Sequence, residues 1–338
     1  MRRALFQPPG APRTRQTPYG MRVSAYDTGV TSTGPRPATF MADQQSPDAT
    51  DTTDPRLLRA RRLTAARDEL AAASAKGEGG RQAMRQYSHR MDALIQQLFA
   101  EAGPVSQPVA VFALGGYGRR ELCLHSDVDI LILFAGRIDP PSEKFLQHFL
   151  TPLWDLGLTI GHHVREVDEG RSLEEDNPEF LLALTDARPV VGDATLLDAF
   201  MARSNGARTA TRTLDALKTL IAERHARFNG TLYQLEPDVK EAPGGLRDLF
   251  GAQTIALLTD ATLLAQGGAG ARALEDAEEF LLRVRSVLHL EAGRHQNVLR
   301  HEVQEKVAER LGYRGATPRQ SVERFMSDYF RHARAIER

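Results

Sequence analysis

Cys123 is the only cysteine in 338 residues. No intrachain disulfide or cysteine-built zinc site can form, and a reducing compartment is expected. No apolar run approaches the roughly 20 residues that span a bilayer. Arg2 and Arg3 have no apolar segment behind them, so the start does not read as a secretory signal. The expected location is therefore the cytoplasm, with no membrane partner. An excess of one charge is also missing: 43 Lys and Arg face 44 Asp and Glu, a formal net charge of −1. That balance argues against nucleic acid as a partner. Neither G-K-[ST] nor G-x-G-x-x-G follows a strand, which excludes a Walker A loop and a dinucleotide fingerprint.

What is present is ordinary globular composition, 41% hydrophobic and 26% charged, on a chain long enough for two domains. Residues 1–54 are rich in Pro, Thr, Ser, Gly and Asp without a sustained period, and read as a disordered leader. Over 55–104 the apolar residues recur at helical spacing in two runs, broken at Gly77-Glu78-Gly79-Gly80. Strands are expected at Val109–Leu114, Val128–Phe134, Leu158–Val164 and Arg188–Val191, with one helical turn at Tyr117–Leu122. Ser142 is expected to cap a helix carrying the stripe Phe145, Leu146, Phe149, Leu150, Leu153 and Trp154. This makes 105–192 a mixed α/β core. The rest, 193–338, reads as a helical domain, with helices near 194–203, 207–229, 246–264, 271–294, 302–311 and 317–336. The last has no stop signal, as expected of a chain truncated from something longer.

The segment A-L-G-G-Y-G-R-R-E-L-C-L-H-S-D-V-D-I-L-I-L-F at 113–134 carries the chemistry. Asp127 and Asp129 lie two apart and so share one face of a strand. Carboxylates placed in that way can hold one or two divalent cations, as metal-assisted nucleotidyl transfer requires. The strand they open is apolar on both faces, where unpaired carboxylates would be costly without a cation or donor. Gly115 and Gly116 let backbone approach a triphosphate, Ser126 adds a hydroxyl, and Arg119 and Arg120 add charge.

The pattern G-G-Y-G-R-x-E-L-x-x-x-S-D-x-D resembles the nucleotidyltransferase core of the DNA polymerase β superfamily. More narrowly, it resembles the uridylyltransferases of bacterial nitrogen control, which modify the signal protein PII. Two further blocks are similar to that family: L-E-P-D-V-K-E-A-P-G-G-L-R-D at 235–248 and V-E-R-F-M-S-D-Y-F-R-H-A-R at 322–334. The resemblance implies an α+β fold, a polymerase β-like core with a small mixed sheet followed by helices. It implies transfer of UMP from UTP to a tyrosine hydroxyl of PII, with release of pyrophosphate and Mg²⁺ or Mn²⁺ as cofactor. Asp127 and Asp129 would hold the metal, and Gly115, Gly116 and Ser126 the triphosphate. Lys240 and Arg247, in the second block, are candidates for phosphate or base.

The superfamily often adds a third carboxylate from a following strand. Here that strand carries His162 and His163, both expected to pack structurally because adjacent strand residues face opposite ways. Glu236, Asp238 and Glu166 remain open as the third acid. His289, His295, His301 and His332 are expected on helix surfaces or in packing. No His-Asp dipeptide occurs, so the hydrolytic domain that full-length family members carry is not expected in these residues. Two other functions stay open at this point: adenylyl transfer to a protein, and a silent nucleotide-binding module.

Overall fold

The computed structural model describes residues 54–175, 177–259 and 269–338. The leader expected over 1–54 lies outside them but for Asp54, as do residues 260–264 of the helix expected from 246. Residues Arg59–Arg338 form one compact unit.

Helices α1 (Pro55–Ala75) and α2 (Arg81–Glu101) precede a four-stranded sheet. Its strands are β1 (Val109–Ala113), β2 (Val128–Phe134), β3 (Ile160–Glu166) and β4 (Arg188–Gly192), in the order β3-β2-β1-β4. β1 pairs antiparallel with β2 and β4, whereas β2 and β3 are parallel and joined through helix α4 (Pro140–Asp155). The fold is thus mixed, as the sequence predicts.

The central strands are apolar on both faces because both faces are covered. On one face Val111, Ala113, Ile130 and Ile132 pack with Met91, Ile95, Phe145 and Phe149. On the other, Phe112, Leu131 and Leu133 pack with Leu173, Phe180, Leu181 and Phe200, from a 3-10 segment (Val167–Glu175), α5 (Pro178–Thr185) and α6 (Thr195–Arg203). Each fully buried Phe stabilises the fold by roughly 1.5–3 kcal/mol.

Three local expectations shift. The cap of α4 is Asp139, whose carboxylate accepts from Ser142 N–H at 3.0 Å; Ser142 is inside the helix. Pro140 and Pro141 supply the preset φ of the first turn, which moves the cap to the residue before them. The helical turn expected at Tyr117–Leu122 is a one-turn helix α3 at Gly115–Gly118, starting directly off β1 and ended by Arg120 at φ 65°. The strand expected at Leu158–Val164 runs from Ile160 to Glu166, because Gly157 still turns the chain at φ 70°.

The helical part continues with α7 (Gly206–Arg227), α8 (Leu246–Thr259), α9 (Ala269–Ala292), α10 (His301–Arg310) and α11 (Pro318–Glu337). α9 is its axis, touching α2, α8, α10 and α11 and burying Leu281, Val284, Val287 and Leu288. Residues 235–245 of the 235–248 block are not helical, and the block's last three residues open α8: the non-helical part lies against the loop after α9, with Val239 N–H donating to Asn297 O at 2.9 Å and Leu299 N–H to Pro237 O at 2.9 Å. No helix among the described residues is long and apolar enough to cross a membrane.

Candidate active site

β1 and β2 bring the glycine turn and the aspartates to the same end of the sheet. Leu114 N–H donates to Asp129 O at 2.9 Å, which sets Gly115 beside the Asp129 side chain. A Cβ on Gly115 would lie 4.0 Å from Asp129 Oδ2, and its φ of 50° is one that glycine adopts without strain. Gly115 and Gly116 open α3, where helix geometry leaves N–H groups without an intrahelical acceptor.

A buried network fixes this turn. Tyr117 OH donates to Asp92 Oδ1 at 2.7 Å, and Arg188 donates to both Asp92 oxygens at 3.0 Å. Arg188 also reaches Gly118 O at 3.2 Å and Tyr117 O at 3.3 Å. One guanidinium therefore ties α2, β4 and the glycine turn together.

Asp127 and Asp129 stand close enough to disfavour double ionisation. Burial, and then the Asp127 charge, push the Asp129 carboxyl up to about 6, against the pull of Lys240 and Arg247. Burial also raises Asp127, against Lys240 and Arg285. Lys240 is pushed down to about 8, by burial first and then by Arg285 and Arg247, while Glu241 and Asp129 hold it up. Acidic and basic groups thus share one cluster.

The 235–248 block delivers Lys240 through its own hydrogen bonds. Asp238 accepts from Lys240 N–H at 2.9 Å and Glu241 N–H at 2.8 Å. Asp248 accepts from Gly244 N–H at 2.7 Å, from His225 Nε2 at 2.9 Å, and from Arg224. Arg247 is more exposed and pairs with Glu241 at 3.0 Å.

The expected third acids are placed apart from the aspartate pair. Glu166 is at the far end of β3, paired with Phe134, and accepts from Ile138 N–H at 2.9 Å. Glu236 accepts from His301 N–H at 2.8 Å in an exposed position. Asp238 turns its Oδ1 to the two N–H groups above. Directly opposite Asp129 stands Gly161. Among the described residues no three His, Cys, Asp or Glu side chains converge as a metal site.

Two carboxylates alone fit Mg²⁺ or Mn²⁺, which take one or two protein carboxylates and complete their shell with water and substrate phosphates. The mutual repulsion of Asp127 and Asp129 is what such a cation relieves.

Arg119 is held between layers. It pairs with Glu121 at 2.9 Å and with Asp186, and its guanidinium carbon lies 3.5 Å from the Phe250 ring centre. His162 meets Trp154 edge-on at 6.0 Å and His163 lies 4.4 Å from Phe180, one on each face. Burial pushes His163 down to about 4.

Two residues of the site escape the sequence. Glu179, in the first turn of α5, feels Arg247 and has a buried oxygen without a hydrogen-bond partner among the described residues. Its signal was the N-P-E helix start at 177–179. Arg285 reaches Ser126 Oγ at 3.2 Å from α9, and no local motif marks it.

Two family models match the chain in succession. The nucleotidyltransferase model DUF294 covers residues 64–162, and the model GlnD PII-uridylyltransferase covers residues 212–338. The bifunctional uridylyltransferase/uridylyl-removing enzymes of Burkholderia thailandensis and Burkholderia mallei are each 35% identical to it over 300 residues. The match takes in 83% of this chain and 34% of each relative, so the chain spans about a third of their length. Across these matches the chain is similar to the PII-uridylyltransferases, with a nucleotidyltransferase region ahead of the region that the GlnD PII-uridylyltransferase model covers.

Proposed function

We propose that this chain transfers UMP from UTP to a tyrosine hydroxyl of PII and releases pyrophosphate, in the cytoplasm. The observation that carries the reading is the Asp127–Asp129 pair set against Gly115, with Lys240 and Arg247 charging the same space. The relatives' printed names supply the nucleotide and, with the matched family model, the acceptor.

In this reading the glycine turn, held by Tyr117 and Arg188, admits the triphosphate against backbone. Ser126 donates to it. Lys240 and Arg247 oppose the charge that builds on the leaving pyrophosphate. Asp127 and Asp129 hold Mg²⁺ or Mn²⁺, which when bound supplies charge stabilisation on phosphate oxygens. The tyrosine oxygen forms the new bond to the α-phosphorus as the bond to the β-phosphate oxygen breaks, and the hydroxyl proton passes to water. Positioning and electrostatics do most of the work, and little covalent chemistry falls to side chains.

The test is to incubate the chain with labelled UTP, Mg²⁺ or Mn²⁺, and PII, beside Asp129→Asn. Label on PII, lost in the variant, is the expected result. Label from ATP instead makes the chain an adenylyltransferase, and nucleotide binding without transfer makes it a silent module.

A further inference from the structure

Arg285 is 8% exposed on the inner side of α9. Its Nε donates to Asn297 Oδ1 at 3.0 Å, and its Nη2 donates to Ser126 Oγ at 3.2 Å. Both partners are neutral. Among the described residues no carboxylate pairs with it within ion-pair distance. Arginine does not deprotonate in proteins, so this is a buried positive charge fixed by neutral acceptors. Such a charge is costly unless an anion completes it.

The acid that feels this charge is Asp127, which Arg285 pulls down against burial without forming an ion pair with it. His289 and His295 flank Asn297, with ring nitrogens 3.4 Å from its amide atoms. Burial, then the Arg285 charge, push His289 to about 2 and His295 to about 4, so both are neutral. Asn297 itself is 7% exposed and is held through its own backbone O, which accepts from Val239 N–H at 2.9 Å. Asn297 Oδ1 is thereby presented to Arg285 Nε, and Nη2 is turned to Ser126, the residue before Asp127. A planar donor fork aimed at one hydroxyl suits a tetrahedral oxyanion.

We propose that Arg285 binds a phosphate group of the nucleotide beside Ser126, with Asn297 as the positioning residue that aims it. This rests on the nucleotidyl-transfer reading and adds to it: the helical part, through α9, is a wall of the nucleotide site. The rival is a strut that only links Ser126 to Asn297.

The experiment uses the whole chain with Mg²⁺ and no acceptor protein. It measures binding of UTP and of inorganic tripolyphosphate, for wild type, Arg285→Met, Arg285→Lys and Asn297→Leu, with a melting curve for each. Loss of a charge-assisted contact predicts about 10- to 100-fold weaker binding of both ligands in Arg285→Met. Arg285→Lys recovers part of it, and Asn297→Leu loses less than Arg285→Met on both ligands alike. If Arg285→Met does not fold, Arg285→Lys against Asn297→Leu carries the same comparison. Unchanged UTP binding overturns the proposal, and so does a loss for UTP that spares tripolyphosphate. A wild-type chain that binds no nucleoside triphosphate at all would instead sink the transfer reading on which this stands.

Discussion

Asp129 and Gly161 face each other across the parallel β2–β3 pair, and a Cβ built on Gly161 would lie 2.2 Å from Asp129 Oδ1. The atom that must yield is the tip of a side chain, not backbone. Gly161→Ala is therefore expected to leave the melting temperature within a few degrees of wild type while turning the carboxylate away from the glycine turn. Uridylyl transfer should fall by about 10²-fold, the scale of losing one aligned electrostatic group. Activity that survives at more than a tenth of wild type would mean the Asp129 position is not needed.

The Asp92–Arg188–Tyr117 network predicts a different balance. Arg188→Met strands the Asp92 carboxylate, only 11% exposed, and should destabilise the fold by about 3–5 kcal/mol. Tyr117→Phe removes one hydrogen bond and should lose about 1–2 kcal/mol. Urea unfolding of both variants checks the order. Because Arg188 also holds Gly118 O, nucleotide affinity should fall further in Arg188→Met than in Tyr117→Phe, even where both are folded.

Asp248 organises the second block through Gly244 N–H, His225 and Arg224, whose side chain is 5% exposed. Asp248→Asn leaves that guanidinium without its counter-charge, a loss of about 3 kcal/mol. Lys240 is brought to Asp129 by the same block. The expected signature is a raised KM for nucleotide alongside the lost stability, read from steady-state kinetics and thermal melting of one preparation. A stability loss with unchanged KM would separate the block from the nucleotide site.

Local signals are legible in a sequence, and contacts between distant segments are not. The aspartate pair and glycine turn were legible because strand alternation and a Gly-Gly after an apolar run are local. The place of Lys240 came from the resemblance of the 235–248 block, not from any period. Arg285 was invisible because α9 reads as one amphipathic helix, and an arginine on its inner side gains meaning only when Ser126 meets it from a distant strand. The third acid went unplaced because strand register decides what faces Asp129, and register puts glycine there. The sequence points to Ser142 as the cap because a capping hydroxyl and an aspartate before two prolines compete for one role, which only the backbone resolves.

Glu121 makes stability depend on pH. Its carboxyl is 6% exposed, accepts from Arg119 Nε at 2.9 Å and lies near the Glu278 carboxyl. Burial pushes it up to about 7; Arg119 opposes the shift and Glu278 adds to it. In the unfolded chain a glutamate titrates near about 4.3. Between those two values the folded protein holds a proton that the unfolded chain has released. The stabilising contribution is therefore complete below about 4, shrinks as pH rises, and is gone above about 7. Glu121→Gln keeps an acceptor for Arg119 but cannot titrate. Wild type should thus lose stability relative to the variant across that window, on the order of 3 kcal/mol, and run parallel to it above. Unfolding midpoints at intervals from acid to mildly alkaline pH measure the difference. Glu278→Gln, by removing the neighbouring carboxylate, should move the same window toward acid. Parallel curves for wild type and Glu121→Gln throughout would place the proton elsewhere.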